Sequence, residues 1–190
     1  AVGDRTAKHA SEMRRGSEKA GVDLQAFQEM AFAAKESGID IETLTNMMGK
    51  LSKSLHAAQK PGSEAAKAFK DLGLETKGAD GKLRPLNDIM ADIADKTVAM
   101  GKDPERTGKL MAVLGRGAQE GIPWLAKGSA EMKHAADMAL EYGIVLSQET
   151  IKQAAIYSKS KKQIGAVFEG LEFTLGSAVL PMLAVTGAFI

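Results

Sequence analysis

The sequence predicts an all-α fold of eight or nine helices, with one small β-hairpin inserted among them. Gly residues recur at intervals of one to two helix lengths, and an Asp or Ser that can cap the next helix often follows. Between these signals, apolar residues return at helical spacing rather than in alternation. The chain is therefore expected to fold as a succession of short helices.

The first well-marked helix follows Asp23 and ends at Gly38. Asp40 begins the clearest amphipathic helix of the chain. Its Met residues could form an adaptable binding groove, but core packing is the favoured interpretation. One face of this helix carries the apolar residues, which are Leu44, Met47, Met48, Leu51 and Leu55.

A short helix and a hairpin come next. Pro61 breaks the amphipathic helix, and Ser63 caps a short helix that Gly73 ends. Residues 74–84 have the pattern of two short strands joined by the turn Asp80-Gly81. A two-stranded hairpin is marginal by itself, so it would have to lean on the helices.

Two further helices are predicted before residue 115. Pro85 leads into a helix over 86–100, and the pair Asp103-Pro104 begins a helix that runs to about Leu114. Gly and Pro interrupt residues 115–125 too often for a long helix, so a turn and a short helical piece are expected there.

The last third of the chain is more continuous. Ser129 is expected to begin a helix that ends at Tyr142, and Ser147 to cap a helix with no clear stop. Within the latter, apolar residues step by 4, 3 and 4 residues, which is typical both of a short heptad seam and of a lone amphipathic helix. The seam and its continuation consist of Ile164, Phe168, Leu171, Leu175, Val179 and Leu183.

These signals suggest three regions. Residues 1–20 form an N-terminal helical linker, 21–146 a compact helical domain, and 147–190 a long helix that runs into a hydrophobic segment. Residues 173–190 carry no charge, and we interpret the chain as a piece of a longer protein whose sequence is cut inside this segment.

The hydrophobic segment also permits a membrane role. Four Lys residues precede it, with no acidic residue between Glu149 and Glu169, and basic residues often anchor a membrane span. A span, a buried helix and an oligomer seam all remain open at this stage. The four are Lys152, Lys159, Lys161 and Lys162.

Composition and motifs argue against an enzyme. The 190 residues include no Cys, which excludes disulfides, thiol catalysis and thiolate metal sites. No Gly-Lys pair is followed by Ser or Thr, so a Walker A phosphate loop is absent, as are zinc-protease and serine-nucleophile motifs. We expect no catalytic residue, no metal and no cofactor. The net charge of +1 argues against a dedicated DNA-binding module.

The order of motifs resembles the tail tape measure proteins of long-tailed bacteriophages and prophages. Residues 38–55 resemble the paired-helix opening of that family, 65–74, 81–85 and 93–95 resemble its central stretch, and 146–149 its short strand and capped helix. The succession of these motifs is more specific than any one of them.

The most specific part of the resemblance lies between residues 114 and 125. The family pattern there has Gly-Arg followed by Glu-Leu-Ile-Pro-Leu-Leu, and this chain departs from it at Ala118, where Gly is usual, and at Gly121, where Leu is usual. We interpret Arg116 and Glu120 as local structural residues, with a solvated ion pair favoured over a buried one. The residues that match the motif are Gly115, Arg116, Glu120, Ile122, Pro123 and Leu125.

The resemblance implies a structural protein of the phage tail that sets tail length, lies in the tube lumen and leaves ahead of the DNA. Implied partners are other tape measure copies, tail tube and tip proteins, assembly chaperones and the host membrane, but no specific DNA sequence. The implied locations are the virion tail, the host cytoplasm during assembly and the host envelope at infection. The alternative is a membrane-inserting helical protein of the pore-forming type.

Overall fold

The computed structural model describes the backbone of residues 2–186 and the side chains of residues 2–169. Nine helices form the regular secondary structure of this part, so the predicted all-α class, helix number and long last helix are confirmed. They are α1 (Val2–Ala20), α2 (Leu24–Lys35), α3 (Ile41–Ala57), α4 (Glu64–Asp71), α5 (Leu86–Met100), α6 (Arg106–Leu114), α7 (Gly117–Leu125), α8 (Gly128–Glu141) and α9 (Gln148–Thr186).

Four of these helices begin at the polar residues that the sequence indicates. The Asp23 side chain accepts hydrogen bonds from two backbone N–H groups at the start of α2, and Asp40 accepts one at 2.7 Å at the start of α3. Ser63 and Ser147 cap α4 and α9 in the same way, each at 3.1 Å. Each cap satisfies backbone donors that have no partner within the helix.

Helix α3 lies at the centre of the bundle. It packs against α1, α2, α4, α5, α6 and α7. Its apolar face is fully buried, including both Met47 and Met48. The Met residues of this face are therefore core residues, and the core interpretation is confirmed.

The core extends from α3 to its neighbours through large side chains with no solvent exposure. Phe27 of α2 and Trp124 of α7 belong to the same buried cluster as the α3 face, together with Ile89, Ile93 and Leu110. This shared cluster joins the first and second halves of the bundle.

Residues 74–85 link α4 to α5 and contain the predicted hairpin in a reduced form. Within the described chain there is no strand here, but a single antiparallel bridge joins Lys77 to Leu83. The Asp80 side chain accepts the Lys82 N–H at 3.0 Å, which stabilises the predicted Asp-Gly turn. Arg84 then pairs with Asp92 of α5 at 2.6 Å and fastens the turn to the bundle.

Two predicted helix starts differ from the structure. Helix α6 begins at Arg106, after a turn in which the Asp103 side chain accepts the Glu105 N–H at 2.8 Å. Ser129 lies inside the first turn of α8 and does not cap it. Instead, its N–H and its hydroxyl both donate to the carboxylate of Asp95 in α5, each at 2.8 Å.

Helix α1, predicted as a linker, packs against α2, α3 and α9. Its contact with α2 is close at Gly16, where a Cβ atom would lie 2.4 Å from Cζ of the buried Phe27 ring. The division of the chain into three regions stays a prediction.

Candidate functional site

The turn between α6 and α7 contains the first residues of the family-like motif. Gly115 ends α6 with φ = +75°, a conformation that L side chains rarely adopt. Its N–H donates to the Met111 carbonyl at 2.9 Å. The glycine thus lets the chain reverse and begin α7 two residues later, as the predicted turn and short helix require.

Two glycines of α7 let this helix approach α3. A Cβ atom at Gly117 would lie 2.9 Å from Cγ of Met47, and one at Gly121 would lie 2.6 Å from its Cε. Both distances are shorter than real Cβ contacts allow. The Met47 side chain therefore occupies the space that larger residues on α7 would need. This packing explains how the chain accommodates Gly121, where the resemblance expects Leu.

The charged residues of the motif lie on the surface. Arg116 and Glu120 are both exposed, and no ion pair joins them, although both belong to the described residues. Glu120 instead accepts a hydrogen bond from the Thr43 hydroxyl of α3 at 3.2 Å. The expected solvated pair is thus replaced by a contact between Glu120 and α3.

The apolar end of the motif supplies core residues. Leu125 is fully buried beside Trp124, Ile122 is half-buried against the same cluster, and Pro123 is exposed within α7. Pro123 has no N–H to donate to the carbonyl of Gln119 four residues earlier, so α7 lacks one bond of its ladder there. The motif therefore fits a packing role.

Helices α1 and α9 form an antiparallel pair. Ala7 and Ala10 of α1 pack against Ile151 and Ala154 near the start of α9. Closer to the start of α1, Lys161 of α9 binds the carboxylate of Asp4. The apolar contact and the ion pair lie one to two helical turns apart along α1, so together they hold α9 along α1.

A buried amide fixes the link before α9. Gln28 of α2 is 5% exposed, and its side-chain amide donates to the Leu146 carbonyl at 3.0 Å and accepts the Leu146 N–H at 2.8 Å. This double hydrogen bond positions the start of α9 against α2. Sequence reasoning missed Gln28, although a Gln between apolar residues on the buried face of α2 is a signal that could have indicated it.

Beyond its contact with α1, α9 leaves the bundle. Every residue from 159 to 169 is exposed. Ile164 is 58% and Phe168 62% exposed, so the described part of the chain leaves most of these two seam residues uncovered. Four further seam positions lie outside the residues whose side chains the structure describes: Leu171, Leu175, Val179 and Leu183.

The predicted membrane-competent segment, 173–190, also falls on residues whose side chains are not described. In the part of the chain that was open to the search, no helix is both long enough and apolar enough to cross a bilayer.

The shifted pKa values belong to surface ion pairs. Lys161 lowers the pKa of Asp4 to about 2 by donating a hydrogen bond to its carboxylate, and the pKa of Lys161 is raised in return. Asp92 raises the pKa of Arg84, and Glu105 raises that of Lys109, both through hydrogen bonds. The described residues contain no group of three or more His, Asp or Glu that could hold a metal ion.

Comparison with known proteins identifies the family. A family model for phage-related minor tail proteins matches residues 2–115, more than half of the chain, from α1 to the glycine that ends α6. No curated protein and no solved structure matches the chain. The matched range covers α3 and five of the helices that pack against it, whereas Arg116, α7 and α9 lie beyond it. The chain belongs to the phage-related minor tail protein family, and it is a structural protein of the virion tail.

Proposed function

We propose that the chain is a segment of a tail tape measure protein, and that its role is structural rather than catalytic. The order of motifs along the sequence supports the proposal, because the family match covers several of them. The structural observation that carries it is α9, which leaves the bundle with apolar side chains exposed. At about 1.5 Å per residue, its 39 residues extend about 58 Å.

An exposed apolar stripe on a long helix needs a cover in the assembled tail. Ile164, Val167 and Phe168 are each more than half exposed and lie within about one helical turn of one another. In the tube lumen, other copies of the tape measure and the tail tube proteins would supply this cover. The tail tip proteins and the assembly chaperones are the further proposed partners.

The bundle itself is not a rod. A continuous helix of 185 described residues would reach about 280 Å, but the chain is interrupted after each of α1 to α8 and these helices pack on one another. We therefore assign the bundle to a compact domain of the tape measure and α9 to the start of an extended part. The described chain would then contribute less to tail length than its number of residues suggests.

The test is the length of the tails that a mutant phage builds. The parent gene is altered by an in-frame deletion of residues 21–146, and tails are measured by electron microscopy. We expect tails that are shorter, but by less than the roughly 190 Å that 126 extended helical residues would span. Tails of unchanged length would contradict the tape measure assignment.

A second measurement covers the case in which the deletion prevents assembly. A photocrosslinking residue is placed at Ile164 in the intact chain, and a control is placed at Val98, which is exposed on α5 at the bundle surface. Crosslinks from position 164 to other copies or to tube protein, and none from 98, are expected. Equal labelling from both positions would contradict the assignment of α9 to the assembly interface.

The absence of catalysis is a separate proposal with its own test. Its support is that Asp4, whose carboxylate has a lowered pKa, is engaged with Lys161 and with the Tyr157 hydroxyl between two helices rather than beside a second acid. Purified chain is incubated with cell-wall material and the release of soluble fragments is measured. We expect none, and release that survives repurification would contradict a purely structural role.

A further inference from the structure

The net charge of +1 conceals an uneven distribution. Helix α1 and residues 148–169 of α9 together carry nine basic and five acidic residues, whereas residues 21–147 carry sixteen basic and eighteen acidic residues. The helical pair is therefore positive and the remainder of the bundle is slightly negative. At physiological ionic strength charges act over about 8 Å, so a partner at this pair would experience the local charge rather than the total.

The positive charges line two neighbouring grooves along the α1–α9 contact. Four residues, Ala7, Ser11, Ser158 and Lys162, line both grooves, so the two grooves form one continuous surface. Among the described residues, Asp4 is the one acidic residue that lines it, and it binds Lys161, while Glu12 and Glu18 of α1 pair at 3.9 Å with Lys8 and Arg14. We call this the α1–α9 surface, and its cations are Lys8, Arg14, Arg15, Lys159, Lys161 and Lys162.

The other lining residues show what kind of anion the surface suits. Apart from Tyr157, the exposed large apolar residues of α9 line neither groove. Ser11, Ser158 and Gln163 add hydrogen-bond donors beside the cations. A phosphate chain requires only cations and donors, whereas a lipid bilayer would also have to contact the exposed apolar residues Ile164, Val167 and Phe168, which lie outside both grooves.

We propose that the α1–α9 surface binds the phosphodiester backbone of double-stranded DNA without sequence preference. Arg and Lys side chains neutralise phosphates and release condensed counterions, which supplies most of the free energy of non-specific DNA binding. Neither helix is placed to read bases, because the cations lie along two grooves and not at the tip of one inserted element. The proposal rests on these charges and holds whether or not the chain is part of a tape measure.

The experiment measures the fluorescence anisotropy of a labelled duplex of about 30 base pairs with the complete chain, from about 20 to about 200 mM salt. We expect a dissociation constant between about 1 and 100 μM near 150 mM salt and tighter binding at lower salt, the same for duplexes of unrelated sequence. The logarithm of affinity should fall with the logarithm of salt with a slope of about −3, as for three or four neutralised phosphates.

Two variants with the same change in net charge locate the site. K159E/K162E reverses two exposed Lys of the α1–α9 surface and should weaken binding at least about tenfold. K53E/K60E reverses two exposed Lys, one in the last turns of α3 and one in the turn after it, and should change binding less than about twofold. Circular dichroism checks that both variants keep the helical content of the unmodified chain.

Three outcomes would overturn the proposal. The first is no binding of the duplex at low salt. The second is equal weakening by both double variants, which would attribute binding to total charge. The third is binding to anionic phospholipid vesicles that the duplex does not displace and that K159E/K162E abolishes, which would assign the α1–α9 surface to a lipid surface instead.

Discussion

At the scale of single residues, the packing of α7 on α3 depends on how Gly121 and Met47 share one space. Replacing Gly121 with Leu would overfill this space and lower the free energy of unfolding by about 1–3 kcal/mol. Met47→Ala alone would leave a cavity and cost about 2–5 kcal/mol. The double variant should lose less free energy of unfolding than the sum of the two single losses, because the Leu fills the space that Met47 vacates. Denaturant unfolding of the four proteins measures this coupling, and strict additivity would contradict the shared space.

Gly16 is a second position at which the packing leaves no room for a side chain. A Cβ atom there would lie 2.4 and 2.5 Å from two ring atoms of Phe27, and the buried ring has little room to move. Gly16→Ala should therefore lower the free energy of unfolding by about 1–3 kcal/mol, despite the higher helix propensity of Ala.

The matched control for Gly16 is Gly108→Ala within α6. A Cβ atom at Gly108 would meet nothing within 4 Å, so only the gain in helix propensity should remain. That gain is about 0.5–1 kcal/mol of added stability. If both Gly→Ala variants shifted the unfolding midpoint in the same direction, the close contact with Phe27 would not decide the outcome.

At the scale of elements, the attachment of α9 depends on Gln28. Gln28→Ala removes the side-chain amide that binds both the N–H and the carbonyl of Leu146. We expect the free energy of unfolding to fall by about 1–3 kcal/mol and hydrogen exchange at the Leu146 amide to become faster. Gln25→Ala is the control, because Gln25 lies on the exposed side of the same helix. Unchanged exchange at Leu146 in Gln28→Ala would show that the link does not depend on this amide.

The ion pair between α1 and α9 makes their contact sensitive to pH only at the extremes. The pKa of Asp4 is lowered, so its contribution to the stability of the α1–α9 contact is complete above the ordinary value of 3.8 and is lost as the pH falls towards about 2. The pKa of Lys161 is raised, so its contribution is complete below 10.5 and is lost as the pH rises through its higher value in the folded chain. Between these limits the pair should not respond to pH.

An NMR titration can check the origin of this shift. Lys161→Met removes the largest cause of the low Asp4 pKa, which should then rise towards 3.8. Lys152→Met removes an exposed charge from the same helix without touching Asp4, and should leave the Asp4 pKa where it is. An unchanged pKa in Lys161→Met would mean that other groups depress it.

At the scale of the whole molecule, α9 divides into a part that stabilises the bundle and a part that does not. A chain that ends at Gln163 should unfold at the same denaturant concentration as a chain that ends at Glu169, because residues 164–169 are exposed. A chain that ends at Ser147 lacks the contact of Ile151 with Ala7 and Ala10, and its free energy of unfolding should be lower by about 2–4 kcal/mol. Equal unfolding midpoints for the chains that end at Gln163 and at Ser147 would contradict this division.

Local signals account for the part of the fold that could be predicted. Asp23, Asp40, Ser63 and Ser147 cap helices through residues two or three positions away, so the sequence pattern contains both partners. The bonds that position α9 lie beyond such patterns, because they join residues 118 and 157 positions apart. The same reasoning applies to the motif: its turn and short helix were predictable, but the contact of Gly121 with Met47 depends on how α7 packs on α3.

The contact between Asp95 and Ser129 has a consequence for the order of folding. Helix α8 has no side-chain cap of its own at Lys127, and the acceptor for its first turn is a carboxylate of α5. The beginning of α8 therefore gains this stabilisation only once α5 has formed. Since the ribosome synthesises α5 earlier, this acceptor is already in place when α8 emerges, and the direction of synthesis coincides with the order in which the two helices can fold.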